Sequence, residues 1–177
     1  YNNYSYFETE RMTEPNKPVF ADNTEFIGEG RRAIYEVLLT TNRLNNIWMK
    51  AIRTPLLQAD DTPYDFYADN PHGEDLLQTL YPVTHANHIV YRDCVLYRYR
   101  RHSRSITRRL DAGRINQLMD ERVTNQLKHY MSLWGLDTQE YLERFLARRL
   151  SSRLSVFWQH FRVAETSEQK RTVLDHD

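Results

Sequence analysis

The chain has 177 residues, 40% of them hydrophobic and 12% aromatic, which is enough for a packed core and too apolar for a disordered polypeptide. Its 24 Lys and Arg are matched by 24 Asp and Glu, a balance that argues against a dedicated nucleic-acid binder, and no apolar run reaches the length of a membrane-spanning helix. Cys94 is the sole cysteine, so an internal disulfide and a four-cysteine zinc site are both excluded.

The neutral total hides an uneven distribution. Residues 1–90 carry 7 basic and 13 acidic side chains, whereas residues 91–177 carry 17 and 11. A dipolar chain of this kind suits docking on charged partners. Arginine outnumbers lysine 20 to 4, which favours bidentate carboxylate and phosphate contacts. The first residue is Tyr1 and not Met, which fits a removed presequence, an engineered fragment or numbering begun at the first visible residue.

In chain order, residues 1–29 read as an extended aromatic arm. Tyr4, Tyr6, Phe7, Phe20 and Phe26 are scattered among polar residues, Pro15 and Pro18 with no helical or alternating period. Two placements are expected for it: wrapping a neighbouring subunit, or packing along the chain's own helices. Ile34, Leu38, Leu44, Trp48 and Ile52 then recur at helical spacing and predict a helix over 30–53, ended by Pro55. Residues 54–83 read as a long acidic Pro/Tyr-rich loop with a short helix near Glu74–Leu80.

Residues 84–162 are expected to form a three-helix antiparallel bundle, followed by a solvated or docking tail over 163–177. Its first helix is predicted from Thr84 to Leu110. The second, Arg114–Trp134, ends at Gly135, with Leu136 folding back. The third starts at the box Asp137-Thr138-Gln139-Glu140 and buries Phe145, Leu146, Leu150, Leu154, Phe157 and Phe161, with Arg144, Arg148, Arg149 and Arg153 on its polar side. The expected class is therefore all-α: about four helices, an N-terminal arm and a long acidic loop.

Catalytic chemistry finds little support. Gly28-Glu29-Gly30 has the spacing of a dinucleotide-binding turn but no strand–helix alternation around it, so a glycine-flanked helix start is the better reading. His85, His88, Asp93 and Cys94 suggest a metal only on paper, because Cys94 lies about 190° around a helix from His88 and on the apolar stripe. The carboxylate pairs Asp60-Asp61, Asp120-Glu121 and Glu140/Glu143 read as solvated. The expectation is a protein with no catalytic residues, no cofactor and no metal.

The most informative cluster is Arg98, Arg100, Arg101, Arg104, Arg108 and Arg109. On a helix, Arg98, Arg101, Arg104 and Arg108 would share one ridge about 15 Å long. Such a ridge can meet acidic protein, anionic lipid headgroups or RNA phosphate, and Tyr91, Tyr97, Tyr99 and His102 would allow base stacking. A protein contact is preferred over RNA, and a solvated face neutralised by the chain's own acids is the plain alternative.

Leu96-Tyr97-Arg98, followed by further arginines and two amphipathic helices, resembles the LYR-motif proteins over about residues 85–162. The resemblance implies a small three-helix mitochondrial accessory or assembly factor attached to a respiratory complex. It also implies that Leu96, Tyr97 and Arg98 make helix–helix and partner contacts. The family's downstream Phe has no counterpart, since no Phe occurs between 67 and 144, so the family's acyl carrier protein partner is not carried over.

Together these readings lead to an expected function: a non-catalytic accessory or scaffold subunit of a large assembly. A mitochondrial respiratory-chain or ATP-synthase complex is the first choice, with the protein in the matrix or peripheral to the inner membrane, and otherwise cytoplasmic. The expected partner-binding residues are Leu96, Tyr97, Arg98, Arg101, Arg104, Arg108, Tyr4, Tyr6 and Phe7. The alternatives are an RNA-binding, ribosome-associated protein using Arg98–Arg109, and a viral or bacterial structural component.

Overall fold

The computed structural model describes residues 3–8, 11–12, 17–68, 73–100, 121–164 and 166–174, in which helices predominate beside two small sheets. The all-α expectation is thus corrected to a mainly helical fold with some β-structure. By internal contacts the chain divides into two compact units, residues 1–62 with 78–109 and residues 63–77 with 110–177.

The first unit begins with strands Asn3–Glu8 (β1), Arg11–Met12 (β2) and Glu25–Ile27 (β3). Gly28 has a φ of 53°, a region that a Cβ disfavours, and it turns the chain from β3 into a 3₁₀ turn, Gly28–Arg31. That turn leads directly into helix Arg32–Thr40 (α1), which buries Ile34, Tyr35, Leu38 and Leu39.

The helix stops at Thr40 and does not run on to residue 53. The hydroxyls of Thr40 and Thr41 donate to the carbonyls of Glu36 and Val37 at 2.7 and 3.0 Å. Thr41 then turns extended (φ −139°, ψ 169°), and its hydroxyl oxygen accepts the Arg43 N–H at 3.2 Å. Side-chain bonds of this kind compete with the next helical turn. Leu44, Trp48 and Ile52 keep helical spacing, but Leu44 and Ile52 lie in irregular chain and Trp48 in a short 3₁₀ turn, Ile47–Met49. The Lys50 ammonium braces this stretch by donating to the carbonyls of Leu44 (2.6 Å) and Asn46 (2.8 Å).

The expected loop over 54–83 is instead largely helical: Thr54–Gln58 (α2), Tyr64–Ala68 (α3) and Glu74–His85 (α4). Pro55 sits in the first turn of α2, where its missing N–H costs nothing. The short helix suggested near Glu74–Leu80 continues through Pro82 to His85.

The largest correction falls on 84–110. The expected helix is replaced in the described residues by strands His88–Val90 (β4) and Val95–Arg100 (β5), and residues 101–110 lie outside them. β4 pairs antiparallel with β3, with Phe26 opposite Ile89. β5 pairs in parallel with β1, which also pairs with β2, giving the order β2-β1-β5. The described strand at the start of the N-terminal arm, β1, therefore pairs with a strand of its own chain, β5. Phe20, from the same expected arm, is half-buried and packs edge-on against two core aromatics, its ring centroid 4.8 Å from that of Phe26 and 5.4 Å from that of Tyr91. The Tyr91 hydroxyl accepts the Val19 N–H at 2.8 Å.

The second unit holds helices Glu121–Leu133 (α5), Gln139–Val163 (α6) and Ser167–Leu174 (α7). Residues 114–120 of the expected second helix lie outside the described residues. α5 buries Val123, Leu127, Tyr130 and Met131. Gly73 packs so closely that a Cβ there would stand 3.0 Å from a Val123 methyl. The end of α5 follows the expected motif: Gly135 has φ 65°, its N–H donates to Ser132, and Leu136, fully buried, donates to the Met131 carbonyl at 2.8 Å. The cap of α6 is Thr138, whose hydroxyl accepts the Tyr141 N–H, and not Asp137. Beyond Val163, the expected tail forms α7, where Lys170 lies over the Phe161 ring at 5.7 Å.

Candidate interaction surfaces

The first candidate surface is the β2-β1-β5 sheet, which gathers two groups of residues that are far apart in sequence. Tyr4, Tyr6 and Phe7 lie on β1; Leu96, Tyr97 and Arg98 lie on β5. The register sets Tyr4 opposite Tyr97, Ser5 opposite Arg98, Tyr6 opposite Tyr99 and Phe7 opposite Arg100. Leu96 is 64% exposed, and the Tyr97 ring lies 4.3 Å from Trp48. Because Arg98 stands on a strand, the helical ridge through Arg98, Arg101, Arg104 and Arg108 is overturned at its first member. Arg101, Arg104 and Arg108 lie outside the described residues.

The paper metal set also comes apart. His85 is in the last turn of α4 with its ring 4.3 Å from Tyr81, His88 on β4 meets the Glu25 carboxylate at 3.0 Å, and Cys94 is half-buried between β4 and β5. Among the described residues, no three His, Cys, Asp or Glu side chains are grouped to hold a metal.

The clearest surface is one that the sequence reading put inside the core. On α6, Phe145 is fully buried and Arg149 is 8% exposed, whereas Leu146, Leu150, Leu154 and Trp158 are 40, 50, 50 and 57% exposed. Spacing by four residues keeps those side chains on one slowly turning stripe. The expected assignment of Leu146, Leu150 and Leu154 to the buried face, with Arg148 and Arg149 on the polar face, is therefore reversed. A signal for this exists in the sequence. Phe145 and Leu154 are nine residues apart, half a turn at about 100° per residue, so a single packing face cannot cover both. Trp158, which the reading passed over, extends the outer stripe.

Electrostatics separates the two faces of α6. Burial, reinforced by the neighbouring Arg149 charge, pushes the Arg148 guanidinium down to about 10. The Arg149 guanidinium lies over the Phe145 ring at 5.6 Å, a contact that partly replaces lost hydration. On the outer side, Arg144 pairs with Glu140 at 2.6 Å, and Arg162 is exposed. From residue 144 to 163 the helix carries five arginines and no acid.

The first unit contains a half-open cleft of about 1090 Å³. Its walls include Phe26, Ile34, Leu38, Met49 and Val83, all buried, and its lining includes Arg43, Lys50, Arg53, His85, His88 and Arg92. Among the described residues that line it there is no Asp or Glu. Just outside, the Asp93 backbone N–H and Arg92 hold the Asp22 carboxyl below the usual carboxylate range. No protein-family profile, curated protein or solved structure matches the chain.

Proposed function

We propose that the protein is a non-catalytic accessory subunit of a large multiprotein assembly, docked through the outer face of α6. The observation that carries this reading is the exposed stripe Leu146, Leu150, Leu154 and Trp158 on a helix whose opposite face is already packed. A large contiguous apolar surface of this kind marks a binding face, and covering it contributes roughly 1 kcal/mol per half-exposed side chain. The arginine bias supports membership of an assembly. Within this reading, a respiratory-chain or ATP-synthase complex of the mitochondrial inner membrane is the first to test, on the strength of the tripeptide Leu96-Tyr97-Arg98 alone, which here lies on strand β5 and not on a helix. A peripheral attachment agrees with the finding that no helix among the described residues is long and apolar enough to cross a membrane.

The test is a gentle detergent purification of the tagged native protein, with and without ribonuclease, beside the double variant Leu150→Glu, Leu154→Glu. Subunits of one complex should co-purify with the unaltered protein after nuclease treatment and be missing from the variant. Recovery of ribosomal proteins and RNA that the nuclease removes would replace this reading with the RNA-binding one. An unchanged partner set on the variant would remove α6 from it.

A further inference from the structure

The cleft of the first unit combines three features: a deep apolar floor, cationic lining without acids among the described residues, and main-chain groups without a partner among them. The floor is formed by Phe26, Ile34, Leu38 and Met49, each buried in the protein yet lining the cleft. At about 1090 Å³ the space is at the upper end of the range for ligand pockets, and it is open along one side, as a groove for a chain segment would be.

Its charge is one-sided. Among the described residues the Arg43 guanidinium donates only to the Lys17 carbonyl, and the exposed Arg53 guanidinium makes no hydrogen bond or ion pair. Among the described residues neither guanidinium meets a carboxylate. An occupant that brings its own carboxylates would complete both with charge-assisted bonds.

The backbone decides what kind of occupant fits. Tyr91 N–H donates to the Thr24 carbonyl at 2.8 Å, and Phe26 stands opposite Ile89. Antiparallel pairing alternates, so Tyr91 and Ile89 face β3, while the N–H and C=O groups of His88 and Val90 point to the other edge of β4. On that edge they have no partner among the described residues. Across the cleft lining, Ala51 and Ile52 lie in irregular chain and their N–H and C=O groups make no hydrogen bond among the described residues. A lipid tail would leave these groups unanswered, whereas an added strand pairs with them.

We propose that this cleft binds an extended acidic–apolar peptide segment of a partner protein, added as a strand at the outer edge of β4. Its apolar side chains fill the floor of Phe26, Ile34, Leu38 and Met49, and its carboxylates meet Arg43 and Arg53. The site is separate from α6 and stands whether or not α6 docks an assembly.

The experiment selects a phage-displayed library of short random peptides on the full chain, then measures a fluorescein-labelled synthetic copy of the enriched sequence by anisotropy. Two variants accompany it, each checked by circular dichroism. Arg53→Glu reverses an exposed charge that has no partner among the described residues. Val90→Pro removes an N–H that points away from β3 and has no partner among the described residues. Enriched peptides should combine Asp or Glu with Leu, Ile or Phe. Each variant should weaken binding by roughly tenfold, while Leu150→Glu leaves it unchanged. No enrichment, enrichment without acidic residues, or binding to both folded variants as tight as to the unaltered chain would overturn the proposal.

Discussion

Arg148 and Arg149 follow one another on the inner side of α6, and together they load that face with charge that water no longer screens. Burial is the larger cause of the Arg148 shift to about 10, and the Arg149 charge adds to it. The sign follows from proton counting. The folded state holds this proton less tightly than the unfolded chain, so unfolding takes up protons in the range above about 10, and stability rises with pH there. At neutral pH the guanidinium is charged in both states and its full desolvation cost is present. Arg148→Met is therefore expected to raise stability at pH 7 by on the order of 1 kcal/mol. In urea denaturation followed by circular dichroism, the advantage of the variant should shrink as pH rises through about 10. A constant advantage at every pH would mean that packing, and not charge, separates the two proteins.

Among the elements, α6 shows best how far local pattern reaches. Its two faces make a paired prediction. Phe145→Ala, at a fully buried ring, should cost about 3–5 kcal/mol, whereas Leu150→Ala, half-exposed, should change stability by less than about 0.5 kcal/mol in the same denaturation. Comparable losses at both positions would mean that the Leu150 face is covered within the isolated chain. The sequence displayed the existence and extent of this helix through its periodic apolar residues, and the end of α5 through Gly135 and Leu136, because both signals are local. It did not display which of two apolar arcs on α6 turns inward, since that depends on the size of the surface available to cover them. Val95–Arg100 failed differently. Val-Leu-Tyr-Arg-Tyr-Arg alternates as a strand does, but helical spacing through Leu96 and Arg98 also fits, and the deciding partner, β1, lies about ninety residues earlier. The residues named from the sequence at Tyr4, Tyr6, Tyr97 and Arg98 thus share a sheet for a reason that the helix argument did not contain. The cleft was invisible to the sequence reading because its lining comes from β3, α1, the chain after Thr41, α4 and β4.

At the scale of the whole molecule, the charge asymmetry of the chain and the outer face of α6 combine into one expectation about how a partner arrives and stays. The second half of the chain carries 17 basic and 11 acidic side chains, and α6 from residue 144 onward has arginines only. An acidic partner surface is drawn to such a field, which acts on association, whereas the leucines and Trp158 act only after contact, on dissociation. Salt separates the two contributions. Screening shortens from about 8 Å at physiological ionic strength to about 3 Å at 1 M, while apolar burial survives added salt. With the purified partner complex on a biosensor surface, the association rate of the unaltered chain should fall by roughly tenfold over that range, with little change in dissociation. Arg162→Glu, at an exposed position beside the stripe, should lower the association rate at low salt and flatten its salt dependence. Leu150→Glu should instead speed dissociation and leave the salt slope of association in place. If association proved indifferent to salt, the arginines of α6 would have no part in recognition, and the stripe alone would have to account for the choice of partner.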